Sequence, residues 1–444
     1  MPLRHIHAAR WTRRAGVLLF ALVCAATLLA CGRQARHPPA APVAAGAGPA
    51  PAAPVAPATN RCGPSTWATV ADEVGRAASH IYGEEHFGGQ VRQAVASVES
   101  SRALASAVAR ADRAGARSAI VALLSNHEHI VRIRTLRRGR ILSDVGGPQI
   151  LAPISGPLRL GRRTVGRFVL SVQDDLGYFL LAGRLLGVPV FMRTPAGQVR
   201  GSASPGPASI PTRGLVSVGG RTYMAHSFRA EAFPSGPLRI SVLVAPPASS
   251  MRSLSCRDVA VQTAGTIARR VYGESAAGPN ARLAQTSVQQ SAALARATAA
   301  GDPAAARRAI DALIAQRHVD GVSVTRNRLV LAQFGGKLLA PSHGAILTRS
   351  GAVAGRYSVS VLNTHGYAIL MHALLGAEVL IRHGAQTVEA SLSPGPRRIP
   401  ALGRVTYRGV DYSALSFAGT GFPDRPLRIS LLLPSGALPA TARR

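Results

Sequence analysis

The tightest constraint on this chain is that its latter part repeats its earlier part at one fixed distance. Ser204-Pro205-Gly206-Pro207 returns 189 residues later as Ser393-Pro394-Gly395-Pro396. The same shift carries Gly166 to Gly355, Ser171-Val172 to Ser360-Val361, Gly177-Tyr178 to Gly366-Tyr367 and Arg193 to Arg382. It also carries Ile210-Pro211 to Ile399-Pro400, Ser227-Phe228 to Ser416-Phe417, and Pro237-Leu238-Arg239-Ile240-Ser241 to Pro426-Leu427-Arg428-Ile429-Ser430. Allowing single-residue gaps, Tyr82-Gly83-Glu84 matches Tyr272-Gly273-Glu274. A period this long exceeds any solenoid unit, so each copy is expected to be a domain with its own core. The copies span residues 61–249 and 250–438. A chain of 444 residues with 47% hydrophobic content can fill two such cores.

Periodicity gives the element order within a copy. Trp67, Val70, Val74, Ala78 and Ile81 recur every three or four residues and predict an amphipathic helix. Its counterpart begins near Asp258 and carries Val259, Thr263, Ile267 and Val271. A second helical stretch holds Ala119–Leu124 in the first copy and Ala309–Ile314 in the second. Gly301-Asp302-Pro303 marks its start in the second copy as breaker, N-cap and first-turn proline. The period then drops to two. Val131 and Ile133 alternate with Arg132 and Arg134, and a turn at Arg138-Gly139 predicts a hairpin. An irregular stretch through Gly146-Gly147 leads to a strand pair around Pro157–Leu160 and Phe168–Val172. Asp175 is placed to cap a short helix over Leu176–Leu186. A strand at Val188–Met192 and two closing strands near Arg221–Phe228 and Leu238–Val244 complete the copy.

The expected class is α+β. This element order resembles the extracytoplasmic Cache domains, PAS-like sensor modules of bacterial receptors. The paired glycines after the first hairpin, the Gly166-centred strand running into a short helix and the late strand–glycine turn carry the resemblance. It implies two tandem modules, each an N-terminal helical region followed by a curved antiparallel sheet that holds a small molecule. Cache modules usually sit between two membrane spans and feed an output domain; no second apolar span and no such domain follow here. Signalling would therefore pass through a membrane-spanning partner.

The first residues read as an address. Arg4, Arg10, Arg13 and Arg14 precede an apolar run from Ala15 to Ala30, too short for a comfortable membrane span. It ends in Leu28-Leu29-Ala30-Cys31-Gly32, a bacterial lipobox in which Cys31 is the acyl acceptor. Residues 1–30 are thus expected to be a lipoprotein signal peptide, and Cys31 to carry the palmitate-type lipid of an exported, membrane-anchored protein. Residues 31–60, rich in Ala and Pro, form a tether that cannot bury a core.

The formal net charge of +32 comes almost wholly from arginine, Lys337 being the single lysine. The arginines are scattered and not interleaved with aromatics, which disfavours specific nucleic-acid recognition and leaves loose attraction to anionic polymers or headgroups. No nucleophile elbow, HExxH zinc motif, phosphate loop or dinucleotide fingerprint occurs, so neither an enzyme nor a cofactor is expected. His127 and His129 have a two-residue spacing but no nearby Cys or carboxylate in sequence, and no metal is expected.

The most function-like cluster is Asp174-Asp175 with Tyr178, which could hold an ammonium group or sugar hydroxyl; Tyr367 is the counterpart of Tyr178. The alternative is that the acids cap a helix and the tyrosines pack inward. The second copy has Asn363-Thr364 in place of the acids, as capping tolerates. The sequence thus favours a surface lipoprotein binding a small extracytoplasmic ligand. A structural or adhesive protein gripping anionic polymers through its arginines and an envelope hydrolase are the alternatives. With Cys24 and Cys31 assigned to export and lipidation, Cys62 and Cys256 remain at equivalent places. An oxidising compartment favours their pairing, leaving free thiols or an interchain bridge as the other outcomes.

Overall fold

In a computed structural model of the chain, the described residues are 61–127, 129–147, 150–195, 199–201, 209–234, 236–315 and 319–436. The expected signal segment, Cys31, the tether and the first copy of the repeated Ser-Pro-Gly-Pro motif (residues 204–207) lie outside them.

The first copy opens with four helices: α1 (Thr66–Phe87), α2 (Gly89–Glu99), α3 (Arg102–Ala109) and α4 (Arg113–Asn126). The sequence pattern anticipates α1 and α4 but not the short, alanine-rich pair between them. Helix α1 buries Val70, Val74, Ala77, Ala78 and Ile81, and stops where the Gly88 amide closes on the Glu84 carbonyl. Side chains start the next helices, since an unsatisfied first-turn amide is costly. Ser101 accepts from the Leu104 amide for α3, and Asp112 from the Gly115 amide for α4.

Strands β1 (Arg132–Arg137), β2 (Arg140–Gly146), β4 (Ile154–Leu160) and β5 (Arg163–Ser171) form an antiparallel sheet in the order β2-β1-β5-β4. Between and after them come the two-residue strands β3 (Ile150–Leu151) and β6 (Gln173–Asp174), and then helix α5 (Asp175–Leu186). The last strands are β7 (Val190–Arg193), β8 (Val199–Gly201), β9 (Arg213–Val218), β10 (Arg221–Phe233) and β11 (Gly236–Val244). They join β3 and β6 in a seven-stranded sheet, β6-β3-β10-β11-β7-β8, with β9 on β10. Each module's antiparallel β-structure is therefore divided into two sheets.

The second copy repeats this order. It contains α6 (Cys256–Ala277), α7 (Pro279–Gln290), α8 (Ala292–Ala300), α9 (Pro303–Ile314) and α10 (Thr364–Leu375). Its first sheet uses β12 (Gly321–Arg326), β13 (Leu329–Phe334), β15 (Ser342–Leu347) and β16 (Val353–Ser360). Its second uses β14 (Leu338–Leu339), β17 (Leu362–Asn363), β18 (Glu378–His383), β19 (Gln386–Ala390), β20 (Leu402–Tyr407), β21 (Val410–Gly421) and β22 (Arg425–Pro434). Sheet orders β13-β12-β16-β15 and β17-β14-β21-β22-β18-β19, with β20 on β21, match the first copy strand for strand. The chain is an α+β protein of two repeated modules.

Two glycines kept by the repeat explain how the four-stranded sheets take their helices. A Cβ on Gly166 would lie 2.6 Å from Val108 Cγ1, and one on Gly355 2.6 Å from Thr298 Cγ2. Only a residue without a side chain lets α3 or α8 settle that close to its sheet.

Several clusters belong to one copy alone: each four-stranded sheet packs apolar side chains against its own helices, and each larger sheet carries a small cluster of its own, around Phe191 and Leu243 in the first copy and Leu380 and Leu432 in the second. The largest core is shared. Val74, Ala78 and Ile81 of α1 meet Val259, Ala264 and Ile267 of α6 within one cluster that also takes in α5, α10 and both larger sheets. Small alanines on two sides of α1 and α6 let each helix be covered by its own sheet and by the other copy. Equivalent contacts cross over: His80 Nδ1 lies 3.0 Å from the Leu374 carbonyl at the end of α10, while Arg270 of α6 lies against Gly187 at the end of α5. Cys62 and Cys256 form a disulfide at the starts of α1 and α6, with Cα atoms 4.5 Å apart. The bridge at equivalent starts and the crossed contacts further on mean that α1 and α6 run side by side in the same direction.

Candidate functional site

The start of α5 brings the acids anticipated from sequence to one place and gives each a partner. The helix is capped by Asp174, one residue earlier than expected: Asp174 has extended backbone angles and its Oδ1 accepts from the Gly177 amide, while Asp175 already lies in the first turn. Asn363 does the same for α10 through the Gly366 amide at 2.6 Å. The Asp175 carboxylate pairs with Arg200 at 2.5 Å. In the second copy the equivalent of Arg200 is Glu389, which accepts from Thr364 Oγ1 at 3.2 Å and lies 3.4 Å from His365. The charge on β8 is thus reversed in β19 together with its partners on the helix.

Tyr178 and Tyr367 are fully buried, and their hydroxyls donate to the carbonyls of Ala78 (2.8 Å) and Ala268 (3.0 Å). Each ties α5 or α10 to the long helix of its own copy. Burial holds both phenols above their ordinary range.

Sequence reasoning missed two polar groups beside Asp174. Glu85, at the end of α1, is buried, and no hydrogen bond to its Oε1 is found among the described residues. Desolvation, with Glu84 and Asp174 adding negative charge, pushes its carboxyl up to about 8. Gln173 is fully buried with neither side-chain polar atom bonded among the described residues. Their counterparts in the second copy are Ser275 and Leu362, so this polar knot belongs to the first module alone. His127 and His129 fall in the connection between α4 and β1, not on a strand. Among the described residues no group of three or more His, Cys, Asp or Glu is placed to hold a metal ion.

A pocket of about 550 Å³ opens on the larger sheet of the second module. It is lined by Arg382, Arg397, Arg398 and Arg428 together with Gly384, Ala385, Ile399 and Ser430; none of these is acidic. Register creates its centre. Arg382 of β18 and Arg428 of β22 are direct cross-strand partners, an arrangement of like charges that costs stability unless something offsets it. Carbonyls of the loop before β20 do so in part. Arg382 donates to Pro396 and Arg397 oxygens, both at 2.6 Å, and Arg428 to the Ile399 oxygen at 2.8 Å. That bonding draws the loop over the sheet and carries Arg397 and Arg398 to the mouth. The first module keeps the cross-strand pair as Arg193 and Arg239 but has Ala208 and Ser209 for the loop arginines. In sequence Arg397-Arg398 is an adjacent arginine pair like Arg137-Arg138 or Arg162-Arg163, with nothing to tell that it meets Arg382 and Arg428.

No family model matches the chain, and no curated protein matches it. Two solved structures are similar to parts of it. The periplasmic domain of Vibrio cholerae LuxQ shares 9% identity with a TM-score of 0.25, over 40% of this chain and 98% of that one. An extracellular ligand-binding receptor from Desulfohalobium retbaense shares 10% identity with a TM-score of 0.24, over 50% of this chain and 47% of that one.

Proposed function

We propose that this protein is an exported lipoprotein, anchored through Cys31, whose second module captures a small anionic ligand. The pocket of Arg382, Arg397, Arg398 and Arg428 carries this reading. Four guanidinium groups around a cavity of about 550 Å³ with no acidic lining residue suit a carboxylate or phosphate, which guanidinium binds in a two-pronged fashion. The volume suits a small metabolite. Such a ligand would also relieve the repulsion between Arg382 and Arg428. In this reading Asp174, Asp175, Tyr178 and Tyr367 hold the frame, and the ligand site lies on the outer side of the sheet. The Cache-like order and the rigid link between modules support a sensory role exercised through a membrane-spanning partner.

The test is a thermal-shift screen of residues 32–444, which include every described element, against di- and tricarboxylates, phosphate esters and neutral sugars at constant ionic strength. Anions are expected to raise the midpoint and neutral sugars to leave it in place. The Arg397→Ala/Arg398→Ala variant should lose that response with its unliganded midpoint unchanged. A response to neutral sugars that survives in the variant would move the site elsewhere. Separately, Cys31→Ala should leave unprocessed precursor or release the protein from membranes; unchanged mass and membrane retention would refute the anchor.

A further inference from the structure

The first module ends in a second concentration of positive charge, away from the pocket. Arg137 pairs with Arg140 across the β1–β2 turn, Leu160 with Arg163 across the β4–β5 turn, and Leu136 with Arg167 across β1 and β5. This register puts both hairpin turns at the same end of the four-stranded sheet. Arg138, Arg140, Arg159, Arg162, Arg163 and Arg167 are all exposed there. The acid on the adjoining α3–α4 turn, Asp112, caps α4 and lies 3.7 Å from Arg110. Asp144, further along β2, is held by Arg132 and Arg134. Neither balances the six arginines.

Apolar side chains stand out of the same end. Ile141 and Leu160 are 49% and 42% exposed. In the second module the equivalent turns bear fewer arginines and more hydrophobes. Leu329 is 74% exposed, Val330 58%, Leu347 49% and Val353 66%. One exposed apolar side chain alone means little, but six at the tips of four hairpins, set among arginines, form a pattern.

The position of these tips follows from a ladder of contacts along the first module. Starting from the Cys62 bridge, Asp72 meets His226, then Tyr82 bonds the Glu231 amide, then Arg134 stacks on Phe233. Strand β1 runs on from Arg134 to the tip. The hairpins therefore lie at the end of the molecule remote from residue 61, where the tether joins. Because α1 and α6 run in the same direction, the second module's tips face the same way.

We infer that this far end docks on a lipid surface bearing anionic headgroups. Guanidinium forks match phosphate oxygens, and each basic side chain near such a surface adds to the attraction. The projecting Leu, Ile and Val side chains gain by entering the interface, which a dissolved polyanion would not offer them. This surface is separate from the pocket and does not depend on it. The protein would bridge the membrane that holds its lipid and the lipid surface its tips touch.

The experiment is co-sedimentation of residues 32–444 with vesicles of phosphatidylcholine alone or mixed with phosphatidylglycerol. The protein should bind the mixed vesicles, weaken steeply as salt rises, and ignore phosphatidylcholine. Arg138→Ser/Arg140→Ser/Arg162→Ser/Arg163→Ser should weaken binding by about two orders of magnitude or more. Leu329→Ser/Val330→Ser/Val353→Ser should weaken it measurably at every salt concentration. All these side chains are exposed, so unchanged far-ultraviolet circular dichroism is expected. The Arg61→Ser/Arg252→Ser variant removes two exposed arginines at the opposite end, beside the Cys62–Cys256 bridge, and should bind as wild type. Equal loss in that variant, or no loss in the four-arginine variant, would overturn the proposal. So would full displacement by soluble polyphosphate with no effect of the apolar substitutions, which would make the partner a polymer.

Discussion

A carboxyl group sealed in a protein core resists ionisation, because removing the anion from water is more costly than removing the neutral acid. Glu85 is such a group: burial and the neighbouring acids raise it to about 8. Glu73 is raised to about 7 by burial against the partly opposing pull of Arg76. In the unfolded chain both ionise near 4.5. The stability they allow is therefore fully present below that value and is lost as pH rises toward 7 to 8. Glu85→Gln should flatten this slope, leaving the variant more stable than wild type at pH 8 and nearly equal to it at pH 4.5. Denaturant midpoints at both pH values decide the matter; parallel curves would show that the carboxyl is solvated. Tyr178→Phe and Tyr367→Phe should each cost about 1 kcal/mol, the net value of a buried hydrogen bond plus an orphaned carbonyl. Asp174→Ala should cost about the same through the lost cap. Ligand response should survive all three, since none of these residues lines the pocket; a variant that keeps its stability but loses the response would return the site to the start of α5.

The glycine contacts in the four-stranded sheets locate another test. A methyl at Gly355 would sit 2.5 Å from the Thr325 carbonyl oxygen, and one at Gly166 2.5 Å from that of Leu136. Backbone cannot swing aside as a long side chain can, so Gly355→Ala and Gly166→Ala should each cost about 1–3 kcal/mol. Midpoints equal to wild type would mean that β1 and β12, together with α3 and α8, can shift to admit the methyl group. Such close approaches were legible from the sequence only as repeated glycines without a reason. The hairpins, α5 and the closing strands were legible because their apolar periods are long and regular. Helices α2 and α3 were not, because Val91, Ala94 and Val98 make a thin stripe in an alanine-rich background. Two-residue strands such as β3 and β6 have no period to read, and with them the division of each module into two sheets was hidden. The pocket was hidden for a related reason: Arg382 and Arg428 meet through the register of β18 and β22, which no local pattern records.

Periodicity shows which face of a helix is apolar, but not which copy will cover it, and the shared core of α1 and α6 follows from that second fact. The disulfide was legible because, with Cys24 and Cys31 assigned in the sequence reading to export and lipidation, counting leaves only Cys62 and Cys256 to pair. Together they predict how the molecule comes apart. Val74, Ala78 and Ile81 lose their cover if the second module unfolds, and Val259, Ala264 and Ile267 lose theirs if the first does. Neither module has a stable partly unfolded partner state, so thermal unfolding should be one transition, with calorimetric and van't Hoff enthalpies in agreement. The bridge spans 194 residues, and closing so long a loop in the unfolded chain is worth about 5 kcal/mol by chain entropy, with engineered and native bridges usually giving less. Cys62→Ser/Cys256→Ser should therefore lower the midpoint by several degrees and leave the transition single, because the shared apolar core still couples the modules. Two resolved transitions in the bridged protein would show that the modules are held by the disulfide alone and that the apolar contact between α1 and α6 contributes little. A single transition that shifts on reduction assigns the coupling to the core and the added stability to the bridge.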